Sequence, residues 1–310
     1  MNEQFVSKLK ALLPEGSDSL FLNEPLSRHT TFRIGGPADC FIEVSGIEEL
    51  KNILDLCQKE DVPCFCIGRG SNLLVSDEGY RGVVLHIGAG FSDVRIEGTR
   101  VEAGSGILLS ALASRLVQAE LTGFAFAAGI PGSLGGAVYM NAGAYGGEMK
   151  DILTKVTALK EDGTVVELFP DELKLGYRDS VFQHEDMIIL SAEMQLEHGD
   201  KNQILKDMQD LMERRVSKQP LDMPSAGSVF KRPQGYFAGG LIEQAGLKGC
   251  QIGGARVSEK HAGFIVNAGG ATAEDVVALI RHIQQTVETQ FGVHLEPEMR
   301  ILKDEHLVML

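Results

Sequence analysis

Apolar residues recur at helical spacing in three long segments of the chain. Four or five apolar positions per segment fall on one helical face, which predicts amphipathic α-helices that pack one side on a core. Two further helices are predicted at Ile107–Glu120 and near Gly239–Ala245. The three long segments are Ile47–Cys57, which follows a capping box at Ser45–Glu48, Asp200–Lys218, and Ala273–Gln290.

Strand-like segments lie between these helices. Two of them form hairpins, Val94–Ala103 and Val156–Leu168, and the second turns at Asp162-Gly163, a dipeptide typical of tight turns. Helices and strands alternate without an internal repeat, so we predict an α+β fold, with a boundary near residue 199 where the composition shifts. The single strands are predicted at Val62–Ile67, Val83–Ile87, Ile188–Leu196, Gly263–Val266 and Val293–Leu302.

Composition narrows the functional classes. The 310 residues suffice for two or three domains, and 44% hydrophobic with 23% charged residues is ordinary for a globular protein. The net charge of −14 and the lack of a basic block argue against a nucleic-acid partner. The first residues form neither a signal peptide nor a membrane span, so we expect a cytoplasmic protein that does not insert into a membrane.

The five cysteines point to packing in a reducing compartment. Their odd number and loose spacing do not match a disulfide framework or a zinc site, so no metal is expected. Cys64 and Cys66 alternate within an apolar run and should therefore face the same side of a strand.

Three glycine-rich loops in the first half are candidate ligand sites. Gly68–Val75 follows a predicted strand and has the composition of an anion-binding nest. Ala128–Gly147 holds seven glycines between apolar residues, and Gly135-Gly136-Ala137 is expected to open a short helix whose N-terminus favours a phosphate. The third loop, Thr31–Pro37, adds Arg33. No acidic residue stands where a ribose would need one, so the loops do not indicate a doubly wound dinucleotide fold.

Pro224–Pro233 packs a serine and two cations between rigid prolines. Proline fixes φ and glycine permits conformations that other residues avoid, so the loop presents Ser228 in a defined pose. A lone serine is a poor acid or base, and most serines in such turns only cap the backbone. A reactive role for Ser228 therefore requires a strongly reactive partner, which the upstream glycine loops suggest is a bound cofactor.

Taken together, six motifs resemble those of the UDP-N-acetylenolpyruvoylglucosamine reductase family and occur in the family's order. The first three also resemble the wider FAD-binding class typified by vanillyl-alcohol oxidase, whereas the last three separate the reductases from that class. The motifs are Thr31–Gly36, Gly68–Val75, Ile130–Gly136, Tyr177–Ser180, Gly227–Pro233 and Leu295–Glu298.

The resemblance implies non-covalent FAD as the cofactor and NADPH as the co-substrate that supplies the hydride. It also implies a nucleotide-sugar substrate whose enolpyruvyl group receives a hydride at C3 and a proton at C2. In this resemblance, Ser228 matches the proton donor and Arg178 matches the catalytic arginine, which neutralises the charge that develops on the substrate carboxylate. Glu298 matches the acid that, when protonated, stabilises the same carboxylate oxygens. Strand periodicity alone does not choose between Glu296 and Glu298.

The same resemblance implies further site residues. Substrate contacts are expected from Lys218, Lys231 and His261. FAD contacts are expected from Arg33, Gly68, Arg69, Gly70, Ser71, Asn72, Leu73, Leu74, Gly129, Ile130, Pro131, Gly132, Ser133, Gly135, Gly136, Ala137, Asn141, Ala142, Gly143, Ile188 and Arg232.

The implied fold is a two-lobed FAD-binding region of the vanillyl-alcohol-oxidase type, at about residues 33–198, plus a C-terminal α+β substrate-binding domain. Arg178 is followed almost directly by a strand, as in the shorter subclass that lacks a tyrosine-bearing insertion. The oligomeric state stays open, with a monomer expected. The predicted divisions are an N-terminal FAD-binding subdomain at 1–67, a second at 68–198, a substrate-binding domain at 199–296, and a returning C-terminal strand at 297–310.

Two other functions stay open at this point. One is an FAD-dependent oxidase of alcohols or sugar lactones, which would form peroxide with its substrate. The other is a non-enzymatic nucleotide-binding module, which would be colourless because it holds no flavin.

Overall fold

The computed structural model describes residues 2–303 and 306–308. Its α-helices agree with the five predicted from the apolar pattern and with the short helix expected near Gly135, and they add two more, Glu3–Leu12 and Pro170–Leu173. In chain order the helices are α1 (Glu3–Leu12), α2 (Ile47–Lys59), α3 (Leu109–Gln118), α4 (Leu134–Tyr139), α5 (Pro170–Leu173), α6 (Lys201–Lys218), α7 (Ala238–Gln244) and α8 (Ala273–Phe291).

The strands are short and numerous, and with the helices they confirm the α+β class. In chain order they are β1 (Leu20–Pro25), β2 (Pro37–Glu43), β3 (Cys64–Ile67), β4 (Leu73–Val75), β5 (Tyr80–His86), β6 (Val94–Glu97), β7 (Arg100–Gly104), β8 (Leu121–Thr122), β9 (Gly143–Ala144), β10 (Gly147–Glu148), β11 (Leu153–Lys160), β12 (Val165–Leu168), β13 (Met187–Gln195), β14 (Glu197–His198), β15 (Ser225–Ser228), β16 (Gln251–Ile252), β17 (Ala255–Val257), β18 (Phe264–Asn267), β19 (Arg300–Lys303) and β20 (His306–Val308).

Three larger sheets carry the regions of interest. An antiparallel sheet has the strand order β12-β11-β13-β7-β6 and contains both predicted hairpins. A second antiparallel sheet has the order β15-β18-β17-β16. In the third, β19 pairs in parallel with β4 and antiparallel with β20, so residues almost at the end of the chain add to a strand from its first quarter.

The chain forms two compact units, each assembled from separate segments. The first comprises residues 1–21, 41–69 and 84–215, and the second comprises 22–40, 70–83 and 216–310. The predicted boundary near residue 199 precedes α6, whereas the units divide near the end of that helix. Ile204 is buried and Met208 packs against the core of the first unit, which explains why most of α6 belongs there.

The core of the first unit lies between α3, α4 and the five-stranded sheet. Its central side chains are almost fully excluded from solvent. Each of their methylene groups that folding removes from water stabilises the folded state by about 0.8 kcal/mol. They include Val101, Leu109, Leu112, Leu116, Leu134, Val138, Val156 and Met194.

The core of the second unit is built around the buried face of α8. The helical period predicted that face correctly, because Val276, Ile280, Ile283 and Val287 are all fully buried. Apolar residues from the two early segments complete this core, among them Phe32, Ile34 and Leu74. Residues 22–40 and 70–83 are therefore structural parts of the C-terminal half rather than linkers.

Two sequence predictions were wrong in detail. The strand predicted at Val293–Leu302 is confined to β19, because Pro297 has no N–H to donate and makes only an isolated bridge with Phe230. At the start of α2 the N-cap is Gly46, and the Ser45 hydroxyl and N–H both bond to the carboxylate of Glu49 rather than that of Glu48.

All five cysteines carry free thiols. Burial raises the pKa of the Cys66 thiol to about 12, which makes a reactive thiolate unfavourable there. Among the described residues no cluster of histidine, cysteine and carboxylate side chains has the arrangement of a metal site. None of the described helices combines the length and the apolar character needed to cross a membrane.

The N-terminus of α8 is capped by a residue nearly 200 positions earlier in the chain. Thr272 and Asp275 form a reciprocal capping box at this end. In addition, the carboxylate of Asp77 accepts hydrogen bonds from the backbone N–H groups of Ala273, at 2.8 Å, and Glu274, at 3.2 Å. A carboxylate here satisfies donors that the helix leaves unpaired and favourably meets the positive end of the helix dipole.

We therefore expect Asp77→Ala to lower the free energy of unfolding by about 1 kcal/mol, the usual effect of losing an N-terminal cap. Urea denaturation followed by circular dichroism measures this loss. Asp186→Ala, which removes an exposed carboxylate in the first unit, is the matched control. An equal midpoint for the two variants would contradict a stabilising role for Asp77.

Candidate active site

Ser228 lies at the end of β15, at an irregular point in its pairing with β18. Ser225 is opposite Val266 and Ser228 is opposite Phe264, so one side has an additional residue between the two pairs. Gly227 takes up this irregularity with a φ of +79°, a conformation that favours glycine. The Ser228 side chain is half-buried, and within the described part of the chain its hydroxyl makes one long contact, of 3.4 Å, to the carbonyl of Phe230. Backbone pairing, rather than a short hydrogen bond of the hydroxyl, therefore places this residue.

Glu298 is joined to this serine through one intervening residue. The N–H of Glu298 donates to the carbonyl of Val229 at 2.7 Å, and the N–H of Val229 donates to the carbonyl of Gly263 at 2.9 Å. Val229 therefore uses both of its backbone groups, its carbonyl toward Glu298 and its N–H toward Gly263. The structure brings Ser228 and Glu298 together within the second unit, although 70 positions separate them in the sequence.

Glu296 and Glu298 differ in their surroundings, although the choice of Glu298 as the catalytic acid stays a prediction. Glu296 is exposed and forms an ion pair with Lys231, whereas Glu298 is half-buried beside the serine segment. The sequence period does not make this distinction, because Pro297 interrupts the strand that would have placed both side chains on one face.

Two of the early glycine loops, Thr31–Pro37 and Gly68–Val75, bond to β15 and to the backbone of Glu298. The Thr31 hydroxyl donates to the carbonyl of Ser225 at 2.8 Å, and the Thr31 N–H donates to the carbonyl of Gly70 at 3.2 Å. The side-chain amide of Asn72 donates to the carbonyl of Glu298 at 3.1 Å. Gly70 has a φ of +62°, and a Cβ there would collide with the carbonyl of His29, so no other residue fits. Asn72, predicted as an FAD contact, therefore also positions Glu298.

Arg178 occupies a strained turn in the first unit. Its φ is +56°, and the turn is closed by the backbone bridge between Gly176 and Asp179. The guanidinium donates to the carbonyl of Gly143 at 3.0 Å and lies 5.1 Å from the ring centre of Tyr177. This arrangement fixes the cation beside the glycine-rich loop. Its approach to Ser228 and Glu298, which belong to the other unit, remains a prediction.

Asn141 secures that turn to the glycine-rich loop. Its side chain is fully buried, and its amide donates to the carbonyl of Gly176 at 2.7 Å and to Glu148 at 3.0 Å. Its oxygen accepts from the N–H of Lys150. These protein bonds use both amide protons, so Asn141 acts on the site by holding the Arg178 turn.

The segment Ala128–Gly147 packs closely against neighbouring loops. The hydroxyl of Ser133 lies where a Cβ on Gly68 would be, which makes glycine necessary at position 68. The predicted short helix exists as the six-residue α4, but it begins at Leu134, and the N–H groups of Leu134 and Gly135 already donate to the carbonyls of Ile107 and Ser105. The N-terminus of α4 therefore has fewer free N–H groups to offer a phosphate than the sequence suggested.

Backbone strain is concentrated in the predicted site. Among the described residues, eight that are not glycine have positive φ, and three of them are predicted site residues. Such conformations cost about 1–3 kcal/mol each and persist only where the surrounding contacts enforce them. The three are Arg33, Asn141 and Arg178.

Arg215, which the sequence analysis did not select, lies beside the glycine-rich loop and is a further candidate for the site. Its side chain lies along Gly129, with the Cδ atom 3.3 Å from where a Cβ on that glycine would be. Burial lowers the pKa of the guanidinium, and its Nε has no hydrogen-bond partner among the described residues. The pattern held a signal, because Arg215 follows Ile204, Met208 and Leu211 on the apolar side of α6, where a charge is unexpected.

These features fit a bound FAD. Two buried polar atoms near the glycine-rich segment lack partners among the described residues: the Nε of Arg215, whose Cδ packs on Gly129, and the hydroxyl of Ser105, whose Cβ packs on Gly135. Native proteins rarely leave such groups unpaired, so a ligand with polar groups is a natural partner for them. The glycines between them allow a flat group to approach the backbone.

The remaining predicted residues occupy varied positions. Lys218 is exposed at the end of α6, and Ile188 is half-buried in β13. Arg232 is exposed and lies 4.0 Å from the ring centre of Phe237. Arg33 and Arg69 are exposed, as are Pro131 and Gly136 of the glycine-rich loop, whereas Leu73, Leu74, Gly132 and Ala137 are buried.

Comparison with known proteins agrees with the motifs. The family profile for the C-terminal domain of UDP-N-acetylenolpyruvoylglucosamine reductase matches residues 219–302, and the profile for an FAD binding domain matches residues 38–168. The match to the FAD binding domain confirms FAD as the cofactor. It also confirms the predicted fold class, an FAD-binding region of the vanillyl-alcohol-oxidase type followed by a C-terminal α+β domain.

Relatives match along nearly the whole chain. The UDP-N-acetylenolpyruvoylglucosamine reductase of Caldanaerobacter subterraneus subsp. tengcongensis is 51% identical over 305 residues, which is 98% of this chain and 100% of its own. The reductase of Clostridioides difficile is 48% identical over 307 residues, again 98% of this chain and 100% of its own.

A solved structure agrees as well. The crystal structure of UDP-N-acetylenolpyruvylglucosamine reductase from Thermus caldophilus superposes with a TM-score of 0.77 at 36% identity, covering 91% of this chain and 97% of that one. The reductase profile covers both Ser228 and Glu298, and the relatives match at high identity along nearly the whole chain. The chain therefore belongs to the UDP-N-acetylenolpyruvoylglucosamine reductase family of FAD-containing oxidoreductases.

Proposed function

We propose that the enzyme reduces the enolpyruvyl group of UDP-N-acetylglucosamine enolpyruvate to UDP-N-acetylmuramate at the expense of NADPH, in peptidoglycan precursor synthesis. The observation that carries this proposal is the backbone ladder through Val229, which sets Ser228 beside Glu298 in the region matched by the reductase profile. This backbone link places the two residues on neighbouring segments, and a hydroxyl and a carboxyl on such segments suit protonation of a carbon next to a carboxylate.

FAD, when bound, supplies the hydride that NADPH provides and that C3 of the enolpyruvyl group receives. The residues proposed to hold it are the glycine loops around Gly68–Leu74 and Gly129–Gly143. Arg215 and Ser105 join this set, because each packs on a glycine of the second loop through a carbon atom and has a polar atom that is unpaired among the described residues. Contacts from Arg33, Ile188 and Arg232 stay predictions.

Ser228 is proposed to donate the proton. When C3 gains a hydride, the electron pair of the double bond moves to C2 and its carboxylate, and the Ser228 hydroxyl then transfers its proton to C2. A hydroxyl does not ordinarily act as an acid at neutral pH, so its contribution depends on placement. The fixed backbone on both sides of Ser228 supplies this placement.

Arg178 is proposed to stabilise the negative charge that develops on the substrate carboxylate. Glu298 is proposed to do the same in its protonated form, because an ionised carboxylate would repel that charge. A guanidinium that is already held by the Gly143 carbonyl needs little reorganisation to stabilise a negative charge, and such preorganisation is usually a large part of catalysis. Lys218, Lys231 and His261 are proposed to contact the substrate. The ammonium group of Lys231 forms an ion pair with Glu296. To contact the substrate, it must either bind both carboxylate and substrate or leave Glu296.

We expect Ser228→Ala to slow the reaction of the NADPH-bleached enzyme with the enolpyruvyl nucleotide sugar by roughly 10²–10⁴-fold, because the proton donor is lost. Bleaching by NADPH should proceed at the normal rate, since it needs no proton at C2. Anaerobic stopped-flow absorbance separates the two steps. Ser7→Ala, at an exposed position of α1, is the control. A normal return of colour in Ser228→Ala would sink the assignment of Ser228.

We expect Arg178→Gln to slow the same substrate-dependent step by roughly 10²–10³-fold, because a neutral amide cannot balance the charge on the carboxylate. Arg178→Lys should recover part of the loss, as it restores the charge without the planar donor geometry. Single-turnover stopped-flow provides the rates, with Arg95→Gln on the exposed β6 as the control. If Arg178→Gln and Arg95→Gln reacted equally fast, Arg178 would have no role in charge stabilisation.

A further inference from the structure

We propose that His261 is a positioning residue for Ser228, acting through the backbone of Gly263; this inference rests on the proposed role of Ser228. The Nδ1 atom of His261 accepts a hydrogen bond from the N–H of Gly263 at 3.1 Å. Because Nδ1 is the acceptor, the ring is the neutral tautomer that carries its proton on Nε2.

Gly263 transmits this bond to the serine. Its carbonyl accepts from the N–H of Val229, the residue that follows Ser228. A Cβ on Gly263 would lie 3.0 Å from the His261 Cε1 atom and 3.4 Å from the Ser228 hydroxyl oxygen. The backbone of Gly263 therefore lies between the His261 ring and the Ser228 hydroxyl, and there is no room for a side chain at this position.

The imidazole is itself held from several sides. The turn before it is closed by the buried Ser258, whose hydroxyl accepts from the N–H groups of Lys260 and His261. The ring meets Phe264 edge-on, with centroids 5.0 Å apart. Its Cε1 atom would lie 3.2 Å from a Cβ on Gly239 at the start of α7. A ring confined in this way keeps Nδ1 directed at Gly263.

The charge state of the ring controls the bond. Only a neutral imidazole accepts at Nδ1; a protonated ring presents N–H toward the N–H of Gly263, and the two donors repel. Burial lowers the pKa of His261, and the nearby Lys248 lowers it further, whereas Glu243 raises it. Glu243 and Lys248 form an ion pair, so their effects on the ring partly offset each other. The bond is thus present at neutral pH and is lost as the pH falls below the usual histidine range, near 6.5.

The test compares the substrate-dependent return of flavin colour from pH 5 to 8 in the wild type, His261→Leu and His261→Asn. The side-chain oxygen of asparagine occupies the place of Nδ1 and accepts without titrating. We expect His261→Leu to be roughly tenfold slower at neutral pH, as befits loss of one buried hydrogen bond. His261→Asn should recover most of that rate and should lose the acid decline of the wild type. Bleaching by NADPH should be equal in all three.

A second readout does not depend on catalysis. In protein labelled with ¹⁵N-histidine, long-range ¹H–¹⁵N spectra should show an unprotonated Nδ1 for His261 at pH 7.5, with the signal assigned by its absence in His261→Asn. His282→Asn, on the exposed side of α8, is the control and should match the wild type in every measurement.

Three outcomes would overturn the inference: a protonated Nδ1, an unimpaired His261→Leu, or an acid decline that persists in His261→Asn. If His261→Leu does not fold, as shown by its thermal melt, the asparagine variant and the spectrum of the wild type still decide. Failure of the proposed function is a separate result, because it would appear as a normal Ser228→Ala, whatever His261 does.

Discussion

The arrangement of the second unit depends on one residue, Val229, whose two backbone groups bond in opposite directions. Its carbonyl binds the N–H of Glu298, and its N–H binds the carbonyl of Gly263. The side chain of Val229 is fully buried, so the residue cannot shift without disturbing the core around α8. Ser228, the proposed proton donor, is the immediate neighbour of this fixed point. Its position is therefore set by main-chain geometry, and only secondarily by contacts of its own hydroxyl.

The first unit uses a different device for Arg178. There the backbone is held in a left-handed conformation, and the buried Asn141 compensates by satisfying the carbonyl of Gly176. Strain of this kind is tolerated when several hydrogen bonds over-determine the turn. The two units thus reach a similar end, a polar side chain in a fixed pose, by regular pairing in one case and by an enforced turn in the other.

Local patterns predicted most helices and hairpins, because amphipathic periodicity and the Asp162-Gly163 turn act over short distances. The motifs also identified Arg178, Ser228 and Glu298 as residues worth examining. What the sequence could not supply were the long-range relations: that Asn72 donates to Glu298, that Asp77 caps α8, and that His261 reaches Ser228 through Gly263. No local propensity encodes such pairings, since each depends on where distant segments meet. The truncated last strand was the exception at short range, where Pro297 outweighed the alternation around it.

The assembly of the second unit from three segments has a consequence for how the chain is made. Residues 22–40 and 70–83 leave the ribosome long before the helix whose core they complete. Until α8 and β19 are synthesised, Phe32, Ile34 and Leu74 lack their packing partners. Conversely, an excised C-terminal half would carry an incomplete interior and an open sheet edge where β4 belongs. The C-terminal half of the sequence is therefore not an autonomous module, and transplanting or circularly permuting it requires that the two early segments travel with it.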